Sequence, residues 1–481
     1  MSERTLDPSD WSSFRTSAHR IVDEMIAYLE SVPARTVWQP FPEEAREALR
    51  EPLPRAGIGL EAAYEEASQH ILPYAIGNVH PRFWGWVRGS GFPEGMLAEL
   101  IVGTLNTSAW GGQQAAPFVE AQVLDWLKEL VGYPAEASGI LTSGCSMANL
   151  IGLAVARDAK SGGDVTEDGL RAADAQPVLY ASEETHSSVA KAVGILGLGR
   201  RALRRVPVDA DHRIRLDELE DRIAVDRAAG RRPIAVVGNA GTVNTGAVDD
   251  LAALADLCAR EGLWFHVDGA FGALAALVPE LRPRLAGMDR ADSLAFDLHK
   301  WLHIPYDVGV VLVRDRVRHE APFAAAASYL EPLERGAAAG PNDFSRLGPE
   351  LSRRFRAFKV WLALKVHGAD AFRDLIAQNV AQAQYLETRL AARSDCELLA
   401  PVPLNIVCFR YRPAGIEPHR LDALNRQLLM AIQERSIAVP SGTEIGGRFA
   451  LRVAITNHRS RRADFDALVD AVATIGRELS A

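Results

Sequence analysis

Lys300 stands in "DLHKWLHIPYDVG", a basic residue set in an otherwise apolar run and flanked by Asp297, His299 and Trp301. A primary amine in such a place is suited to condensing with a carbonyl group, and burial and neighbouring charges decide how readily it sheds its proton. Upstream, "FHVDGAFG" carries Asp268 among apolar and small residues, so its carboxylate is expected to be partly buried and to need a cationic or hydrogen-bonding partner. In isolation the same residue also suits a turn or a helix cap. "LTSGCSMAN" supplies a third part: Gly144, Cys145 and Ser146 separate a strand-like run from a helical one, where backbone N–H groups and a hydroxyl can face an anion. By themselves these residues equally make an ordinary strand-to-helix turn with a serine cap. Together, an amine, an acid and an anion cradle are what a Schiff-base cofactor bearing a phosphate requires.

The elements that must position these groups follow from the hydrophobic pattern. Between about Gly139 and Asp315, "GILTSG", "PVLYAS" and "IAVVGNAG" each lead into a helical pattern, and "LWFHVDGA", "SLAFDLHK" and "VGVVLVRD" follow. Repeated strand–helix–strand units predict an α/β fold, with a mostly parallel central sheet, right-handed crossovers and helices on both faces. Ligands then bind at the carboxyl ends of the strands, where all three motifs lie. Pyridoxal phosphate meets the description: an amine holds its aldehyde, an acid keeps its pyridine nitrogen protonated and donors hold its phosphate. Residues 1–75 read as a helical arm, with Ile21, Met25, Ile26 and Leu29 at helical spacing, that packs on another domain or subunit. After Asp315 comes a long connection rich in Ala, Gly and Pro, then a helix ended by Gly368. The strands "LNIVCFRYR" and "FALRVAITN" mark a smaller α+β domain. The expected division is therefore an arm (1–75), a large cofactor-binding domain (76–370) and a small C-terminal domain (371–481).

Composition excludes several other classes. The 481 residues are 48% hydrophobic and 24% charged, as in an ordinary soluble globular protein. A formal charge of −9 disfavours a general nucleic-acid binder, which needs a basic surface. No apolar run approaches the roughly 20 residues that span a bilayer, and "MSERTLDPSDW" has no signal-peptide pattern, so the expected location is cytoplasmic, with no membrane partner. Cys145, Cys258, Cys396 and Cys408 are widely spaced without a CxxC pair, which signals neither a metal site nor a disulfide framework.

"DLHKW", "HVDGAFG", "TSGCSMANL" and "ETHSSVAKA" occur in one order along the chain and resemble the group II pyridoxal-phosphate-dependent amino-acid decarboxylases, the family of aromatic-L-amino-acid, histidine and glutamate decarboxylases. The resemblance runs from about Asn78 to the end, and "HPRFWGW" and "AAPFVEAQVLDWL" extend it. It implies fold type I of the pyridoxal-phosphate enzymes and a homodimer whose active sites borrow residues from the neighbouring subunit. It also implies decarboxylation of a small-molecule L-amino acid. Position by position, Lys300 would hold the cofactor as a Schiff base, Asp268 would pair with the pyridine nitrogen and Ala270 would pack under the ring. His186 would stack on the other face and orient the substrate carboxylate. Gly144, Cys145 and Ser146 would hold the phosphate with His299 and Asp297 nearby, and Thr242 would lie close to the ring. For His186 and Thr242 the alternatives are a satisfied core histidine and a turn hydroxyl. Trp86, Trp110 and Phe83 would offer aromatic walls for an aromatic or bulky side chain, or else simply pack in the core.

One departure bears on the product. Where amine-forming members carry a loop tyrosine that protonates the substrate carbon, this sequence has Phe344, and a phenyl ring cannot donate a proton. Two further readings therefore stand beside the decarboxylase: an aldehyde synthase coupling decarboxylation to oxidative deamination, and a cofactor-binding subunit without activity. Retention of both Lys300 and Asp268 argues against the last.

Overall fold

The computed structural model describes residues 3–324 and 333–481. Part of the long connection expected after Asp315, residues 325–332, lies outside the described residues.

Seven strands form the central sheet: β1 (Ser138–Thr142), β2 (Pro177–Ser182), β3 (Leu203–Val206), β4 (Arg232–Asn239), β5 (Trp264–Asp268), β6 (Ser293–Asp297) and β7 (Gly309–Val313). Their order is β1-β7-β6-β5-β4-β2-β3, and every pairing is parallel except those of β7 with β1 and β6. β1, β2, β5, β6 and β7 are buried along their whole length, which explains why they read as continuous apolar runs without alternation. The helix Cys145–Lys160 packs over β4 to β7, and the helix Leu251–Glu261 packs against β4 and β5. Local chemistry bounds that second helix: the Asp250 carboxylate accepts the Ala253 N–H (3.0 Å), and Gly262 ends it in the left-handed conformation at φ 66°. This is the α/β architecture expected from the sequence.

A second sheet, antiparallel, joins β8 (Cys396–Leu398), β9 (Ile406–Tyr411), β10 (Ser441–Ile445) and β11 (Arg448–Ala454) in the order β10-β11-β9-β8. It is reached through the helical span Arg356–Ala391, which kinks at Gly368, where φ is 74°. The strip from His80 to Gly91 is bonded to this C-terminal part. Trp84 N–H donates to the Val439 carbonyl (2.9 Å), Val439 N–H donates to Arg82 (2.9 Å), and the Thr456 hydroxyl donates to the Arg88 carbonyl (2.8 Å). Near the N-terminus the helix Trp11–Ser31 buries only Ser17, so its apolar residues find little core within the chain.

Candidate active site

Lys300 owes its position to the end of β6. The strand stops at Asp297, and a single helical turn, Leu298–Trp301, brings Lys300 back over it. The Lys300 amine lies 2.9 Å from Asp297 Oδ2, the i,i+3 geometry of one turn. Two anchors fix that turn. Trp301 is fully buried with its indole N–H on Asn379 Oδ1 (3.0 Å), and Leu298 N–H donates to the Val308 carbonyl (3.0 Å). A tryptophan after the lysine thus ties the turn to the long helical span behind it. Close packing also constrains the backbone: a Cβ on Gly309 would sit 2.6 Å from the backbone of Gly144.

Burial alone would lower the Lys300 pKa, but the nearby Asp297 carboxylate, with a smaller effect from Asp268, outweighs it and holds the amine above the ordinary lysine value. The Cys145 thiol is pushed well up by burial and by Asp268 and Asp297, so it stays a neutral S–H.

Asp268 ends β5, the strand next to β6 in the sheet, and is 4% exposed. Its Oδ1 accepts the Ala270 N–H (3.1 Å) and the Cys145 thiol (3.5 Å), and its Oδ2 accepts the Asn149 amide (2.9 Å). Every one of these neighbours is a donor, the environment of an ionised carboxylate.

Lys300 and Asp268 open into a cavity of about 330 Å3 shared with His186, Ala270, Trp86 and Tyr306. An adjoining cavity of about 320 Å3 runs from the same residues to Ser143, Ser146 and His299. At that end Gly144 N–H is turned toward the Thr142 hydroxyl (3.3 Å) and Cys145 N–H toward Asp297 Oδ1 (2.6 Å). The Ser146 N–H and the hydroxyls of Ser143 and Ser146 are left without a protein partner among the described residues. His299 Nδ1 lies 2.9 Å from the Val308 carbonyl, and its ring packs 4.3 Å from that of Tyr306. An amine and an acceptor-only carboxylate at one end, with free hydroxyl and N–H donors at the other, fit pyridoxal phosphate.

The remaining sequence candidates are distributed unevenly. His186 lines both cavities, and its Nδ1 accepts the Ser188 N–H (3.2 Å) at the start of the helix Ser187–Ile195. Thr242 is buried with its hydroxyl on Thr245 (3.0 Å) and the Ala247 N–H (3.1 Å), the bonding of a turn, while its neighbours Gly241 and Val243 reach the cavity. Trp86 lines the cavity with a left-handed backbone, φ 56°, held by Arg452 on its carbonyl (3.0 Å) and Ser441 on its N–H (3.2 Å). Phe83 is buried against Val37 and Val439 and does not line it. Trp110 and Phe344 meet each other instead: Phe344 N–H donates to the Trp110 carbonyl (2.8 Å), and the Phe344 ring lies 5.2 Å from the Arg353 guanidinium. Neither lines the Lys300 cavity of its own chain.

Sequence reasoning missed Asn149, His266, Arg88 and Tyr306. Asn149 is one helical turn beyond Cys145, and His266 shares a strand face with Asp268 through the two-residue period, so both were accessible to spacing arguments. Nothing comparable marked Arg88, which reaches the cavity from an irregular strip.

Comparison with known proteins agrees with this geometry. Residues 42–412 match the family model described as the pyridoxal-dependent decarboxylase conserved domain. The chain is 34% identical over 470 residues to the aromatic-L-amino-acid decarboxylase of Bacillus atrophaeus, covering 97% of this chain and 96% of that protein. It is 32% identical over 431 residues to the L-2,4-diaminobutyrate decarboxylase of Rhizobium meliloti (strain 1021), covering 89% and 84%. The crystal structure of Oryza sativa TDC with PLP and tryptamine superposes with a TM-score of 0.91 at 26% identity, over 99% of this chain and 100% of that one. The chain therefore belongs to the pyridoxal-dependent decarboxylase family, the group II amino-acid decarboxylases, and is a pyridoxal-phosphate-dependent carboxy-lyase.

Proposed function

We propose that the chain removes the α-carboxylate of an L-amino acid with an aromatic or other bulky side chain, with Lys300 as the residue that binds the cofactor covalently. The observation carrying this reading is the meeting of Lys300, Asp268 and His186 in one cavity walled by Trp86 and Tyr306. When bound there, pyridoxal phosphate supplies an electron sink for the pair left behind as carbon dioxide departs. Asp268 keeps the proton on the ring nitrogen because all its protein neighbours are donors and its remaining lone pair has no other claimant. Asp297 pairs with the Lys300 ammonium and holds it over the strand end, and the amine attacks an aldehyde only after it has lost its proton. Ser143, Ser146 and His299 bind the phosphate end. His186, which lines both cavities, would orient the substrate carboxylate. Trp86 and Tyr306 exclude water and favour a flat side chain.

The active form is a homodimer with shared sites. Exposed Trp11, Leu100 and Leu105, at 60%, 56% and 59%, suit burial against a second copy, as does the thinly packed N-terminal helix. All four cysteines are free, which suits the reducing cytoplasm. A second reading rests on Phe344: with no phenol at that position, oxygen intercepts the substrate carbon and the product is an aldehyde.

The deciding experiment incubates purified protein with a panel of L-amino acids and scores carbon dioxide, amine, aldehyde and peroxide together. Carbon dioxide with amine from the aromatic members supports the first reading, and peroxide with aldehyde supports the second. Release from small or charged amino acids alone would overturn the substrate assignment.

A further inference from the structure

Behind the cavity floor runs a chain of buried polar groups whose direction is fixed from one end. The Trp264 indole N–H, which can only donate, lies 2.8 Å from the Ser293 hydroxyl oxygen. The Ser293 hydroxyl also meets His266 Nδ1 at 2.7 Å, and it donates there because the Asn149 orientation that Asp268 requires places the His266 proton on Nε2. A neutral His266 with an acceptor at Nδ1 carries its proton on Nε2, which lies 2.9 Å from Asn149 Oδ1. With its oxygen so engaged, the Asn149 amide nitrogen donates to Asp268 Oδ2 (2.9 Å) and toward the Ser188 hydroxyl (3.1 Å). Ser188 in turn passes its proton to His186 Nδ1 (2.8 Å), which already accepts the Ser188 N–H. The opposite amide orientation would set an oxygen against the Asp268 carboxylate, and no proton would lie between them. Burial supports the assignment by pushing His266 down to about 4, which keeps the ring neutral. Trp264, Ser293, His266, Asn149 and Ser188 are all buried, so water does not scramble the order.

We propose that Asn149 and His266 are positioning residues: the one-way hydrogen-bond chain from Trp264 makes Asn149 a branch point that holds Asp268 as an acceptor-only carboxylate while Ser188 sets the His186 tautomer with its proton on Nε2. One buried amide thereby touches both Asp268, assigned to the ring nitrogen, and Ser188, the partner of the histidine assigned to one face of the ring. The proposal rests on the reading that Asp268 faces that ring nitrogen.

The test compares the affinity of apoprotein for pyridoxal phosphate with its affinity for an analogue carrying carbon in place of the ring nitrogen, read by quenching of tryptophan fluorescence. Asn149→Asp is nearly isosteric but exchanges the donor facing Asp268 for an acceptor, so the two carboxylates must share a proton that the ring nitrogen then cannot use. It is expected to cut the preference for the natural cofactor by about tenfold, the equivalent of one unit in proton affinity, with little change toward the analogue. His266→Phe is expected to act in the same direction, and His266→Gln, which can still accept from Ser293 and donate to Asn149, to restore the preference. Equal weakening toward both ligands, or a preference unchanged in both Asn149→Asp and His266→Phe, overturns the chain. Asp268→Asn is the control. If the preference survives that substitution, the assignment of Asp268 to the ring nitrogen fails and takes the proposal with it. If the preference collapses there yet persists in the other two variants, only the positioning role is lost.

Discussion

The floor of the cavity and its rim are built on different terms. At the floor, Asp268 and Lys300 stand on adjacent strand ends and each polar atom has an assigned neighbour: Asn149, Ala270 and Cys145 around one, Asp297 beside the other. At the rim, Trp86 and Arg88 come from an irregular strip, and Arg88 has no ion pair among the described residues, its guanidinium resting 5.2 Å from the Trp86 ring. A substitution at the floor is expected to disturb buried groups that depend on one another, and one at the rim to change chiefly what the cavity prefers. The expectation is that chemistry depends on the floor and that selection among amino acids depends on the rim.

The largest effect is expected at the floor. Lys300→Ala removes the amine and should abolish both the visible absorbance of bound cofactor and its trapping by borohydride, with the fold retained. Recovery of a borohydride-trapped peptide containing another lysine would refute the assignment. Asp268→Asn comes next, with turnover falling by several orders of magnitude, because the carboxylate stabilises charge that develops only as the bond breaks. Steady-state kinetics with near-normal turnover would mean a different acid serves the ring.

Away from the floor the expectation shifts from turnover to stability. Arg353 and Glu120 form a fully buried ion pair, and Arg353 also holds the carbonyls of Ala109 (2.7 Å) and Leu141 (2.9 Å). Arg353→Met leaves Glu120 buried with only the Leu141 N–H (3.0 Å), and should destabilise the protein by about 3–5 kcal/mol in denaturant titration. Loss of less than about 1 kcal/mol would show that water reaches the pair.

The distinction between floor and rim also explains what the sequence made legible. Strand ends carrying Asp268 and Lys300 could be read because parallel strands are short, apolar and punctuated, and the fold rule sends ligands to their carboxyl ends. His266 was overlooked although it shares a face with Asp268, since a histidine inside a strand has many uses and its partners, Ser293 and Asn149, are distant in sequence. In "HPRFWGW" core packing is a stronger alternative for Phe83 than for Trp86, and only Trp86 reaches the cavity, from a left-handed position in the strip. Backbone reversals of that kind leave no mark in hydrophobic periodicity. At Thr242 the hydroxyl makes the bonds of the alternative reading, a turn hydroxyl, while the turn it closes presents Gly241 and Val243 to the cavity.

A subtler probe of the floor uses pH. The Asp297 carboxylate holds the Lys300 pKa up against burial, so the favourable pairing is complete at neutral pH and is lost as pH rises through the raised lysine value. Asp297→Asn removes the leading cause that raises the value and lets burial dominate, so the pH at half-maximal rate of cofactor capture by apoprotein should fall. An unchanged midpoint in stopped-flow absorbance would indicate that Asp297 does not govern the amine.

The smallest expected effect on overall carbon dioxide release belongs to Phe344, which lies off the cavity of its own chain beside Trp110 and Arg353. If the dimer brings this residue to the neighbouring site as the proton donor's replacement, the substrate carbon stays unprotonated after carbon dioxide leaves. Dioxygen then takes the electrons, and the products are aldehyde, ammonia and peroxide in place of amine. Phe344→Tyr places a phenol there and should shift product toward amine, with peroxide and oxygen uptake falling in step. Carbon dioxide release should change by less than about twofold, because the phenol acts after the bond has broken and the barrier to that step is set at the floor. Simultaneous assay of carbon dioxide, amine and peroxide separates the two steps. Wild-type protein that already yields amine without consuming oxygen, and is unaffected by Phe344→Tyr, would show that Phe344 never faces the substrate, leaving simple decarboxylation with the proton supplied from elsewhere in the cavity.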